Sequence, residues 1–171
     1  MSEAAQKSRE QQESLAHLAG KYLTFLLGDE SYGLEILKVQ EIIGLQAITR
    51  IPRTPEYVRG VINLRGKVIP VIDLRLRFNM EAAEESRKTC IIVVQVSKAE
   101  NSVTMGIVVD EVSEVLEIAA EEIEPAPSFG TQVETSFILG MAKTENAVKI
   151  LLDIDKIMSE EEMAALARNA G

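Results

Sequence analysis

The sequence predicts a mainly β fold, a barrel or a sandwich, followed by a short C-terminal helix. Three observations carry this reading. About nine or ten short runs rich in β-branched and aromatic residues follow one another, with Gly, Pro, Asn and Asp between them. Some alternate strictly, as Tyr32, Leu34 and Ile36 do along one face. One run, residues 89–96 (TCIIVVQV), is apolar on both faces, which requires packing on each side. A chain of 171 residues, 46% of them hydrophobic, buries about 70% of its unfolded surface. Two small barrels sharing a two-sided strand layer fit the strand count.

Taken in order, residues 1–19 are polar and rich in Ala, Gln and Glu, and are expected to form a flexible tail. Residues 21–27 and 31–36 read as two strands of a hairpin turned at 28–30. Residues 37–43 fit either period. Residues 48–52 are expected as a short strand ending at Pro52, and Pro52 and Pro55 impose an irregular loop after it. Two apolar runs, 61–62 and 68–69, flank a turn at 63–66 (NLRG). Pro70 cannot donate to a ladder, so its strand is expected at a sheet edge or with a bulge. After the two-sided strand come a polar turn at 97–102, strands at 103–109 and 110–118, a proline-rich loop at 124–129, and a hairpin of 137–141 with 147–153. Ser159 followed by Glu162 is a capping box, and it opens a helix over 159–171. The acids in its first turn suit the helix dipole.

Composition narrows the function. The only cysteine, Cys90, excludes an intramolecular disulfide. The first twenty residues lack the apolar core of a secretory signal. No run reaches the roughly 18 apolar residues of a membrane span, so a cytoplasmic protein without membrane insertion is expected. The net charge of −9 disfavours nucleic-acid binding. Charge is unevenly distributed: residues 49–88 carry nine Arg or Lys against five acids, whereas residues 99–142 carry nine acids and no Arg or Lys. That asymmetry suits a protein meeting more than one partner, and equally an ordinary solvated surface.

Catalytic chemistry finds little material. The only histidine, His17, lies in the polar N-terminal region, which leaves no Ser-His or Cys-His pair in the folded part. Cys90 sits in an apolar run, as an inert core thiol does. Ligand sets for Zn and Ca are absent from the spacing, as is a Gly-rich phosphate loop. The sequence therefore predicts no catalytic residues, no metal and no cofactor. A β scaffold whose surface binds other proteins remains.

At this point the ordered motifs resemble the CheW family. They are YLTF at 22–25, LGDESYG at 27–33, ILKVQEI at 36–42, ITRIP at 48–52, GVINLRG at 60–66 and VIPVIDLR at 68–75, then GIVVD at 106–110, EPAPSF at 124–129 and ILLDI at 150–154. The set spans about residues 20–158, and NLRG followed by VIPVID is its most specific part.

The resemblance implies two SH3-like five-stranded β-barrels packed on a shared hydrophobic layer. In function it implies a bacterial chemotaxis adaptor, not an enzyme, coupling cytoplasmic chemoreceptor tips to the histidine kinase CheA and recruited to membrane-associated receptor arrays; small modular interfaces, common among signalling contacts, lead to the expectation of a monomer when alone. An alternative is a regulatory adaptor for a related chemosensory kinase outside chemotaxis. The positions matching the family's receptor groove are Val39, Glu41, Gly60, Asn63 and Arg65. Each also has a plainer reading: Val39 as core, Glu41 as a solvated strand residue, Gly60 and Asn63 as backbone and turn chemistry, and Arg65 as a solvated hairpin tip. Arg65 has two functional readings: its fork grips carboxylates or helix C-terminal carbonyls of a receptor, or it pairs with Glu41 and shapes the groove from within. On the kinase side, Glu124 and Phe129 match a segment of adaptor–kinase ring contacts. Phe129 is either an exposed anchor on a proline-stiffened loop or a core residue.

Overall fold

The computed structural model describes residue 3 and residues 15–98, 101–127, 135–159 and 161–165. Eleven strands occur among them. β1 (Gly20–Leu27), β2 (Glu30–Glu35), β8 (Glu111–Ile118), β9 (Ile123–Glu124), β10 (Ile138–Lys143) and β11 (Val148–Leu152) form one sheet in the order β8-β1-β2-β11-β10-β9. β3 (Val39–Gly44), β4 (Val58–Leu64), β5 (Lys67–Asp73), β6 (Cys90–Lys98) and β7 (Asn101–Val109) form the other, ordered β3-β6-β7-β5-β4. The first sheet has six strands rather than the expected five, the extra one being the two-residue β9. It is built from both ends of the chain, joined by the parallel pair β2–β11; the second sheet is the chain's middle.

The two-sided reading of residues 89–96 has a direct explanation. Ile92, Val94 and Val96 of β6 face the core between the sheets, together with Phe25, Leu34, Ile72, Ile107 and Leu152. Ile91 and Val93 point the other way, into a second core with Ile62, Ile69, Val71 and Val108. β3, β4, β5, β6 and β7 all contribute to that second core, Ile43, Leu45, Ile48 and Leu64 being its partly buried members. Glu41 on β3 and Arg65 just beyond β4, at opposite edges of this sheet, are joined by an ion pair, so the sheet curls around that core. A third core, with Leu18, Tyr22, Ile118, Ile123, Ala142 and Leu151, covers the outer face of the first sheet. Leu18 falls within the stretch expected as tail. It is buried, and its carbonyl accepts the Tyr22 hydroxyl at 2.6 Å.

Several local expectations change. Residues 48–52 form no strand. Only Thr49 bridges, exchanging two 2.8 Å main-chain bonds with Val61. Of the two expectations for Pro70, the edge is excluded, since β5 lies between β7 and β4, while the β4–β5 ladder carries a register shift beside it, where Val58 and Gly60 oppose Ile72 and Val71. Val61, the partner of Pro70 in β4, already spends both main-chain groups on Thr49, so Val61–Pro70 is a non-hydrogen-bonded pair that needs no donor from proline. On the other side, the ladder with β7 starts one residue later, at Val71. A helical turn that the sequence reading missed, α1 (Leu74–Arg77), follows β5, with Asp73 accepting the Leu76 N–H at 3.3 Å.

Asp110 makes the corner where the chain leaves the second sheet for the first. Its carboxylate takes both arms of Arg75, on α1, and the N–H of Gly28 in the β1–β2 turn at 2.8 Å. Three segments from two sheets thus converge on one side chain. Arg75 holds the Asp110 carboxyl well below the usual carboxylate range. The C-terminal helix begins as expected. Ser159 Oγ accepts the Glu162 N–H at 3.1 Å, and Glu162 reaches back to the Ser159 N–H at 2.9 Å. Residues 161–165 are helical (α2). Glu162 also receives the Tyr57 hydroxyl, which docks α2 on the loop before β4.

Candidate functional site

The β4–β5 hairpin closes on the Leu64–Lys67 pair, so its loop is Arg65-Gly66, one residue further on than the sequence suggested. Both have positive φ, +51° and +88°, as a two-residue hairpin turn that follows the strand twist requires. Glycine suits the second position. An arginine at the first carries a steric cost that glycine or asparagine avoids. Asn63 supports the turn by accepting the Gly66 N–H on Oδ1 at 2.7 Å.

What Arg65 does from that position is specific. Its Nη1 and Nη2 donate to Glu41 Oε1 and Oε2 at 2.9 and 2.6 Å, a two-pronged pair. Glu41 lies on β3, opposite Val93, on the face that turns toward the second core. β3 and β4 are the two edges of the five-stranded sheet. The pair therefore spans the mouth of the curled sheet, from one edge to the hairpin at the other. The Arg65 hydrogen bond holds the Glu41 carboxyl below its ordinary range, and the same contact raises the guanidinium further. Arg65 nonetheless remains 67% exposed, so the far side of its fork is open to a partner.

The other expected site residues divide by role. Gly60 is buried at φ +139°, and a Cβ there would stand 2.0 Å from the Thr49 carbonyl oxygen. Its role is close backbone approach. Val39 is half-buried against the inter-sheet core. A register shift between Val39 and Glu41 turns the strand so that Val39 and Glu41 serve different cores. The sequence reading missed Leu37, which is 94% exposed in the 3-10 turn Ile36–Lys38. Ile36 packs on the core and Lys38 is tied to Asp155 at 2.8 Å, so Leu37 is presented from a fixed backbone. Ile42 and Val68, also exposed, flank Glu41 and the hairpin tip in sequence. Only the period ambiguity at 37–43 hinted at this: a bulged edge strand exposes residues that either period would bury.

On the ring side, Glu124 is exposed in β9 and pairs across to Lys143 of β10 at 2.8 Å. Phe129 lies outside the described residues. Among the titratable groups elsewhere, burial pushes the Cys90 thiol up, away from thiolate chemistry. His17 sits exposed in the turn before β1. Among the described residues no three His, Cys, Asp or Glu side chains group as a metal site, and no helix is long and apolar enough to cross a membrane.

A two-sheet β scaffold with a charged hairpin tip at the mouth of its second sheet defines a class of binding module. The chain belongs to the CheW-like domain family, whose model matches residues 21–162. It is 42% identical over 156 residues to the chemotaxis protein CheW of Klebsiella aerogenes, spanning 88% of this chain and 92% of that one. It is 37% identical to CheW of Rhizobium meliloti, over 84% of this chain and 90% of that one. The crystal structure of the scaffolding protein TtCheW from Thermoanaerobacter tengcongensis superposes with a TM-score of 0.73 at 38% identity, covering 84% of this chain and 95% of that one.

Proposed function

We propose that this protein is a non-catalytic chemotaxis scaffold that couples methyl-accepting chemoreceptor tips to the histidine kinase CheA. It acts in the cytoplasm, in arrays beneath the receptors. The observation that carries the reading is the family match from residue 21 to 162, with the chain covering more than nine-tenths of its Klebsiella relative. The receptor-facing surface is the rim made by Glu41 and Arg65, presented by Gly60 and Asn63 and bordered by Val39. A guanidinium held by one carboxylate keeps its geometry while its outer edge meets the carbonyls or carboxylates of a docking helix. Glu124 and Phe129 belong to the kinase face.

The test is reconstitution. Kinase activity with receptor tips and CheA becomes receptor-dependent only when this protein is added. Binding to neither component would defeat the proposal. Phe129→Ser addresses the kinase face separately: it is expected to reduce incorporation into kinase–adaptor rings seen by electron microscopy, while binding to isolated receptor tips is unchanged.

A further inference from the structure

Between the 45–50 segment and the start of β4 lies a cleft of about 540 Å³ that the proposed role leaves unused. Leu45 and Ile48 contribute apolar surface to it, and Arg50 and Arg59 supply positive charge. Arg59 is a constructed element. Its Nη1 donates to Asp73 Oδ2 at 3.1 Å, and Asp73 is only 5% exposed, so a buried carboxylate fixes the direction of the guanidinium. The outward nitrogen, Nη2, donates to Glu85 Oε1 at 2.9 Å. Glu85 is exposed and sits in the acidic segment Glu81, Glu84, Glu85, which runs along the surface with every residue from 81 to 88 exposed. Arg50 is exposed, and no described residue pairs with it.

We propose that this cleft binds an acidic segment of a protein partner, and that Glu85 is an internal stand-in for that partner's carboxylate. Charge complementarity and the bound Glu85 identify the ligand chemistry. One incoming carboxylate displaces Glu85 from Arg59, a second pairs with Arg50, and an apolar side chain between them covers Leu45 and Ile48. The 81–88 segment is then a competitor in the same chain: it masks the cleft until a better acidic ligand arrives. The displaced contact is weak enough for this, because an ion pair with both members part-exposed contributes little in water.

The probe is a fluorescent peptide of Leu-Glu-Glu repeats, titrated at low salt into the full chain and followed by anisotropy. Glu85→Gln frees Arg59 and is expected to tighten binding about two- to five-fold, the range of an exposed ion pair. Arg50→Ala is expected to weaken it by a similar factor, and both effects shrink with added salt. Both side chains are exposed, so the variants keep their fold, as circular dichroism verifies. No binding of the acidic peptide overturns the proposal, as does binding that neither variant changes. Equal binding of a Leu-Gln-Gln peptide reduces the cleft to an apolar surface and overturns carboxylate recognition. Displacement of the peptide by inorganic polyphosphate at lower concentration than by free acidic peptide reassigns the cleft to phosphate and overturns it too.

Discussion

Replacing Gly60 with alanine isolates the backbone role of a residue that family resemblance places in the receptor groove. Two terms set the cost. The φ of +139° is one that L side chains rarely adopt, and holding it costs about 1–3 kcal/mol. The new Cβ would also lie 2.0 Å from Thr49 O and 2.7 Å from Thr49 C, both main-chain atoms that cannot swing aside. The segment around Thr49 must move, and the two 2.8 Å bonds that Thr49 exchanges with Val61 are lost, at about 1 kcal/mol each. Together this is about 3–5 kcal/mol. For a chain of this size each kcal/mol lowers Tm by about 2–4 °C, so the expected drop is about 6–20 °C by thermal circular dichroism. Receptor-tip binding, measured well below the new Tm, is expected to fall as well, because Thr49 is bonded to Val61 of β4, the strand that leads into the hairpin carrying Arg65. A Tm within about 3 °C of the parent would refute the reasoning, showing that the main chain relaxes freely and that Gly60 is there for some other reason.

Other expectations follow from the same contacts. Arg65→Glu and Glu41→Arg should each abolish receptor-dependent kinase activation with little change in Tm, and the folded double swap should stay inactive, since the re-formed pair presents a carboxylate where the docking helix meets a guanidinium; restored activation would show that only the internal Glu41–Arg65 pair matters. Asp110→Asn loses the charge-assisted bonds from Arg75 at the sheet-to-sheet corner and should cost about 2 kcal/mol in a urea titration; an unchanged midpoint would mean the corner is held by packing alone. Tyr22 and Tyr57 are each pushed up to about 12, Tyr22 by burial and then by Glu35, Tyr57 by burial and then by its bond to Glu162. Folding therefore favours the neutral phenols, so their contribution is complete below about pH 10 and is withdrawn as pH rises from 10 towards 12. The full loss would be of order 2–3 kcal/mol for Tyr22. Tyr22→Phe should flatten this alkaline decline, and an identical pH profile in that variant would exclude Tyr22 as its source.

Much of the local structure was legible because it depends on near neighbours. The alternation of Tyr32 and Leu34 marks a strand with one buried face, and both are buried in the inter-sheet core. Ser159 and Glu162 cap a helix because their side chains reach only three residues. For Arg65 the sequence offered a hairpin tip, a fork that grips a receptor, or a partner for Glu41; the structure has it at the tip and paired with Glu41. Where sequence reading failed, a distant residue decided the outcome. Residues 48–52 have strand composition, yet with Pro52 behind them they form only one bridge, Thr49 to Val61. Pro70 argued for an edge or a bulge; β5 is an inner strand with a register shift beside Pro70, and Thr49 takes the main-chain groups of Val61 that a donor at position 70 would have met.

By itself the sequence determined the β class, the two-sided strand at residues 89–96, the capped C-terminal helix and, through its ordered motifs, the family. These rest on periodicity, capping and turn chemistry, which act over a few residues. Tertiary structure alone decided which strands share a sheet, that β2 and β11 join the two ends of the chain in parallel, that Asp110 links three segments, and that Glu41 and Arg65 meet across the mouth of the curled sheet. Hydrophobic period reports that a face is buried but not what buries it. The partner is fixed only when the second sheet curls around a common core and brings its two edges, far apart in sequence, within reach of one ion pair.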